Sequence, residues 1–269
     1  MSIVARRVMA LVLGVFVVTA AGRAEADDLT YRPWVDGVIT GVGAGFWLLS
    51  GAVLVDRFAP HECTWCGTND FDDAIREAVR WDDPTWASRL SDLGAYVLAP
   101  ATAATTLVLA NRDLETRGAL RVDLGIVAES VIVAGCVQQV FKLTIGRERP
   151  RVHAIPPDDR PEGEAEDNLS FYSGHASVSF ALATSAGTVA SIRGYRLTPL
   201  VWGAGLSVAA MTVYMRLAAD DHYATDVAVG AVMGSLAGVA VPLLHRRRPR
   251  SPDLALAAGP RSIALLGQF

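Results

Sequence analysis

Residues 215–226 read MRLAADDHYATD, between two stretches, 197–215 and 227–244, in which no side chain is charged. Arg216, His222 and Asp226 therefore stand where an isolated charge costs several kcal/mol unless it is paired or bound to something, roughly the penalty for ions in an apolar setting. His222 and Asp226 are spaced i,i+4 and share a face of any helix through them. A carboxylate there can accept the proton of one imidazole nitrogen and leave the other as a nucleophile or base. Arg216 adds a planar fork suited to an oxyanion such as phosphate. The other reading of the stretch is an ion cluster that caps a helix end.

The flanking runs set the fold class. Charge-free stretches recur at 37–55, 93–111, 176–192, 197–215 and 227–244, and 124–141 is similar but carries Glu129. Each approaches the ~20 residues that cross a bilayer. The expectation is an all-α, multi-helix transmembrane bundle of about six helices, closely packed through Gly, Ala, Ser and Thr. A soluble all-α protein with buried helices is the alternative. With 269 residues, 51% of them hydrophobic and 19% charged, the chain suits the membrane reading. Its net charge of −4 gives no basic surface for nucleic acid.

Four regions are expected. Residues 1–26 hold Arg6 and Arg7, an apolar run and Ala24-Glu25-Ala26, a secretory signal cleaved after Ala26 or an N-terminal anchor. Residues 27–92 give an N-terminal helix and an acidic segment with Cys63-Thr64-Trp65-Cys66, read first as a structural disulfide. A redox pair or half a metal site is also open for those cysteines. Residues 93–248 form the helical core, and 249–269 the tail. Short arginine-rich connections at 111–121, 193–196 and 245–248 are expected in the cytoplasm, and the acidic pieces 56–92 and 158–167 outside. That places the charged helix ends at the outer face of the cytoplasmic membrane. Counting crossings after a cleaved signal gives the opposite side, unless 37–55 does not cross. His61, His153 and His245 have no such setting and read as surface residues.

Two further pieces join the opening stretch. Lys142, the single lysine of the chain, is followed by Arg149-Pro150 at the end of one apolar run, and Ser173-Gly174-His175 opens the next. Ser173 is a natural N-cap, and the free N–H groups behind it form an anion site with the helix dipole. Lys142, Arg149 and Arg216 would repel one another at a low-dielectric boundary, and a bound phosphate accounts for them better than structure does. A compact ammonium is expected to matter at Lys142.

Lys142-x6-Arg149-Pro150, Ser173-Gly174-His175 and Arg216-x5-His222-x3-Asp226 together resemble the three-part signature of the type 2 phosphatidic acid phosphatase superfamily, which also includes vanadium-dependent haloperoxidases and bacterial class A acid phosphatases. The resemblance covers about 142–244. Tyr172 stands where the family usually has proline, and Met215 where it usually has a serine that helps order the anion site. The resemblance implies that His222 attacks phosphorus to form a phosphohistidine, that Asp226 holds and charges its imidazole, and that His175 protonates the leaving oxygen and then activates water. Lys142, Arg149, Arg216, Ser173 and the Gly174 amide would hold the phosphoryl oxygens, with neither metal nor cofactor. The expected function is a membrane phosphatase for a lipid phosphate or pyrophosphate. The alternatives are a soluble periplasmic acid phosphatase and a non-catalytic membrane phosphate-binding protein.

Overall fold

The computed structural model describes residues 29–60, 62–112, 117–156, 159 and 165–247, with two short strands in the tail. The expected signal at 1–26 and His61 lie outside the described residues. Ala255–Gly259 and Ser262–Leu266 pair as an antiparallel hairpin.

Six long helices and one shorter outer helix build an all-α bundle in the described residues. Helix α1, Pro33–Leu49, continues through a π-helical turn, Ser50–Leu54, into Val55–Phe58. Helix α2, Asp70–Val79, is the shorter one, and Asn69 caps it by accepting the N–H groups of Phe71 and Asp72. Helix α3 runs Pro84–Asn111, starting at the Asp83 cap with proline in its first turn. Then come α4 (Arg117–Ile145), α5 (Gly174–Ile192), α6 (Thr198–Ala218) and α7 (Ala224–Leu244). Helices α4 and α5 are followed by Gly146 and Gly194, both with positive φ, which turn the chain out of the helix without a Cβ clash.

Helix α5 is the centre. Every residue from Ala176 to Ala190 is buried, and α5 packs on α3, α4, α6 and α7. Its sequence is mostly Ala, Ser, Thr and Gly, because a helix surrounded by other helices needs close approach rather than lipid-facing bulk. The large exposed apolar side chains lie on the surrounding helices, among them Val38 and Val42 of α1, Val97 of α3, Val140 of α4, Met211 of α6 and Leu236 of α7. Three helices, Pro84–Asn111, Thr198–Ala218 and Ala224–Leu244, are long and apolar enough to cross a membrane, which marks the protein as membrane-associated.

Charged groups collect at the two ends of the bundle. At one end Asp123 takes Arg193 and Tyr195, and Asn111 donates to the Tyr195 hydroxyl. On the same side His245 is nearly enclosed, which corrects its reading as a surface residue. Its Nδ1 meets the Thr30 carbonyl at 2.7 Å and its Nε2 meets Glu129 at 3.1 Å. Glu129 is the one charge of its apolar run, so these two outliers of the sequence account for each other. The other end carries the site.

Candidate active site

Four helix termini and two loops converge at that end. Lys142 comes from the last turn of α4, and Arg149 precedes the single helical turn Pro150–His153. Gly174 and His175 open α5, Arg216 lies in the last turn of α6, and His222 sits in the connection to α7. All six line one cavity of ≈480 Å³, together with Tyr96, Gln138, Gln139 and, on one side, Trp47, Leu48 and Gly51.

Ser173 and Asp226 stand behind this lining. Ser173 is fully buried and caps α5, its Oγ accepting the Ala176 N–H. Its own N–H donates to the Asp226 carbonyl. The expected contact between Asp226 and the imidazole is longer than a hydrogen bond, 3.9 Å from Nδ1 to Oδ2. Nδ1 instead meets the Ser170 carbonyl at 2.7 Å. A carbonyl only accepts, so Nδ1 carries the proton and Nε2 keeps its lone pair. Asp226 touches the ring through Ser170, whose hydroxyl donates to Oδ2 at 2.6 Å.

The cations have counter-ions that the sequence reading did not single out. Asp221 accepts from Arg216 at 2.9 Å and from Arg149 at 3.4 Å, with Arg151 at 3.6 Å. Burial pushes its carboxyl up, but the charges of Arg216, Arg149 and Arg151 outweigh this and hold it below the usual range. Burial pulls Arg149 down to about 10, and Arg216 adds like-charge repulsion. Burial also takes His222 well below its ordinary value, again with help from Arg216 and Arg149. The imidazole is thus neutral in neutral solution. Two buried donors on lining side chains, Arg216 Nε and Gln139 Nε2, have no hydrogen-bond partner among the described residues.

His175 is held by another residue outside the three motifs. Its Nε2 meets Asp92 Oδ1 at 2.7 Å, and Tyr96 packs edge-on against the ring at 4.9 Å. Both partners flank or lie in a π-helical turn, Gly94–Leu98, two residues ahead of Pro100. Proline removes a backbone donor, and such turns gather at functional sites. Asp221 was readable as an acid set among cations beside His222. Asp92 gave no signal, being one of many acids in 56–92.

Cys63 and Cys66 form a disulfide, the first of the three expectations for them. The turn it closes lies against the site, since the Trp65 N–H and carbonyl pair with Gly146 and Glu148.

A helical membrane-associated protein with a cationic cavity and two fixed histidines is built for phosphoryl chemistry. Residues 123–250 match the family model of the PAP2 superfamily, which supports membership of the type 2 phosphatidic acid phosphatase superfamily and a phosphatase-type, hydrolytic function. No curated protein and no solved structure matches the chain.

Proposed function

We propose that the protein is a membrane phosphatase that hydrolyses a lipid phosphate or pyrophosphate through a phosphohistidine on His222. The observation that carries this reading is the single cavity faced by Lys142, Arg149, Arg216, the start of α5 and both histidines. His222 Nε2 donates its lone pair to phosphorus as the bond to the leaving oxygen breaks, and His175 gives that oxygen a proton. Water then attacks the phosphohistidine, His175 takes its proton, and the N–P electron pair returns to His222. Lys142, Arg149, Arg216 and the α5 amides balance the charge on the phosphoryl oxygens without a metal. Trp47, Leu48 and Gly51 on one wall favour a substrate with an apolar tail over a soluble ester. The site faces the exterior of the cytoplasmic membrane in this proposal, because the short arginine-rich connections 111–121, 193–196 and 245–248 belong to the far end of the bundle.

The test is phosphate release from a panel of lipid and soluble phosphates with chelator present, joined to acid-labile labelling. Wild type should turn over a lipid phosphate. His222→Ala should lose both turnover and label, and His175→Ala should lose turnover but retain label from an activated substrate. Label that persists in His222→Ala would remove the nucleophile assignment. Binding of phosphate without turnover would favour a non-catalytic phosphate-binding protein.

A further inference from the structure

We propose that Arg147 is a positioning residue for the nucleophile, holding the Asp226–Ser170 platform on which His222 rests and compensating the charge of Asp226. This rests on the reading of His222 as the nucleophile. Arg147 occupies an unspecified position inside Lys142-x6-Arg149, and no role follows for it from the three motifs.

The backbone brings Arg147 into place first. Gly146, at φ 59°, turns the chain out of α4. Arg147 then pairs in parallel with Trp65 on one side and Leu169 on the other, and its carbonyl accepts the Ser170 N–H at 2.9 Å. The side chain is fully buried between the rings of Trp65 and Tyr223, 4.0 and 4.1 Å from their centres. Such stacking suits a weakly hydrated, planar guanidinium. Nη2 donates to Asp72 of α2 at 2.8 Å, and Nη1 donates to Thr225 at 2.7 Å and to Asp226.

Ser170 is therefore fixed twice by the same arginine, through the Arg147 carbonyl and through Asp226. It is the Ser170 carbonyl that sets the direction of the His222 ring. Charge gives a second link. One buried guanidinium serves two buried carboxylates, Asp72 and Asp226. Without it Asp226 is left uncompensated; a proton on its own carboxyl is one way to offset the charge, and a proton on His222, 3.9 Å away, is another. A protonated imidazole has no lone pair for phosphorus. On its cavity side His222 is faced by Arg216, Arg149, Asp221 and His175.

The experiment reads the His222 titration by NMR in the full-length protein with isotope-labelled histidine, the signal assigned with His222→Gln. Arg147→Gln should raise the pH at which His222 protonates, by on the order of one unit for a charge partner at this range. At neutral pH its kcat should fall about 10- to 100-fold, as for a nucleophile displaced by ~1 Å, and the acid limb of its kcat profile should move to higher pH with the titration. KM should hold, because Lys142, Arg149 and Arg216 are untouched. Asp72→Asn disturbs the same cluster but removes a negative charge, so it should not raise the His222 titration. Two variants that shift alike would mark the cluster as structural only and overturn the proposal, as would a wild-type titration in Arg147→Gln. If Arg147→Gln does not fold, Arg147→Lys keeps the charge and loses the fork; kcat should fall without a shifted titration, and unchanged kcat would overturn the proposal. Should the wild type release no phosphate while the titrations respond as stated, the phosphatase reading fails and the role of Arg147 stands.

Discussion

At the scale of single residues, the proposed mechanism depends on a histidine that stays neutral. His222 is buried beside Arg216 and Arg149, and its folded-state affinity for protons lies well below the ordinary value of 6.5. The unfolded chain takes up that proton as the pH falls through 6.5, while the folded protein does not. In that window the unfolded state binds more protons, so stability rises with pH and is lost on acidification. The expected result is a melting temperature that falls below that pH more steeply in wild type than in His222→Gln. The acid limb of kcat/KM due to His222 should also lie under the ordinary histidine range. Parallel melting curves for the two proteins would contradict the burial argument. The sequence could reveal His222, because an ionisable group between apolar runs is conspicuous. It could not reveal what holds the ring. The i,i+4 spacing pointed to Asp226, but the Ser170 carbonyl takes Nδ1, and a carbonyl has no signature in a sequence. Asp72 and Asp92 were equally hidden among the acids of the 56–92 segment.

At the scale of elements, the pairing of α5 with α7 fixes the distance between Ser173-Gly174-His175 and Asp226. Gly230, Gly234 and Gly238 recur every four residues on the α7 face that meets α5. A Cβ at Gly230 would stand 2.5 Å from the Ser173 carbonyl oxygen, and one at Gly234 would stand 2.1 Å from that of Ser177. Backbone cannot swing aside as a side-chain tip can, so the helices themselves must part. Gly234→Ala should cost about 1–3 kcal/mol by overpacking. It should also lower turnover by roughly 10- to 100-fold, since the displaced helices carry both halves of the site. Gly41→Ala on α1 meets nothing within 4 Å and should behave as wild type in melting and turnover. Equal melting temperatures for the two variants would show that α5 and α7 have slack. The six apolar runs of the sequence all became helices, and their order was legible from hydropathy alone. Which face of α7 meets α5 was not, because small residues occur all around a helix that touches both protein and lipid. Helix α2 was not anticipated either, being short and polar in composition. It is tied to the site by Asp72 and by Arg76, which grips Asp220 through two 2.6 Å contacts.

At the scale of the whole molecule, the six long helices alternate in direction, so both chain ends of the described bundle lie on the side away from the cavity. Thr30 donates its N–H and its hydroxyl to the His245 carbonyl, and Tyr31 stacks on the His245 ring at 5.9 Å. Leu29 and Arg246 bridge the same junction. Wherever His245 lies, Leu29 lies with it. This sharpens the conflict between two sequence signals. Arg112, Arg121, Arg193, Arg196 and Arg246 belong to connections at that end, and the charge bias of short loops assigns it to the cytoplasm. Cleavage after Ala26 would leave Asp27 as an exported N-terminus and carry Leu29, hence His245, outside. The bias of the three short arginine-rich connections gives the expected orientation, with the cavity outside. Cysteines at Glu77 and Arg196, both exposed positions at opposite ends, separate the alternatives in a background with the native cysteines replaced. An impermeant thiol reagent applied to intact cells should label Glu77→Cys and spare Arg196→Cys until the cells are opened. Labelling in the reverse order would put the cavity in the cytoplasm, restore the cleaved signal as the stronger of the two features, and confine the substrate to phosphates available on the inner leaflet.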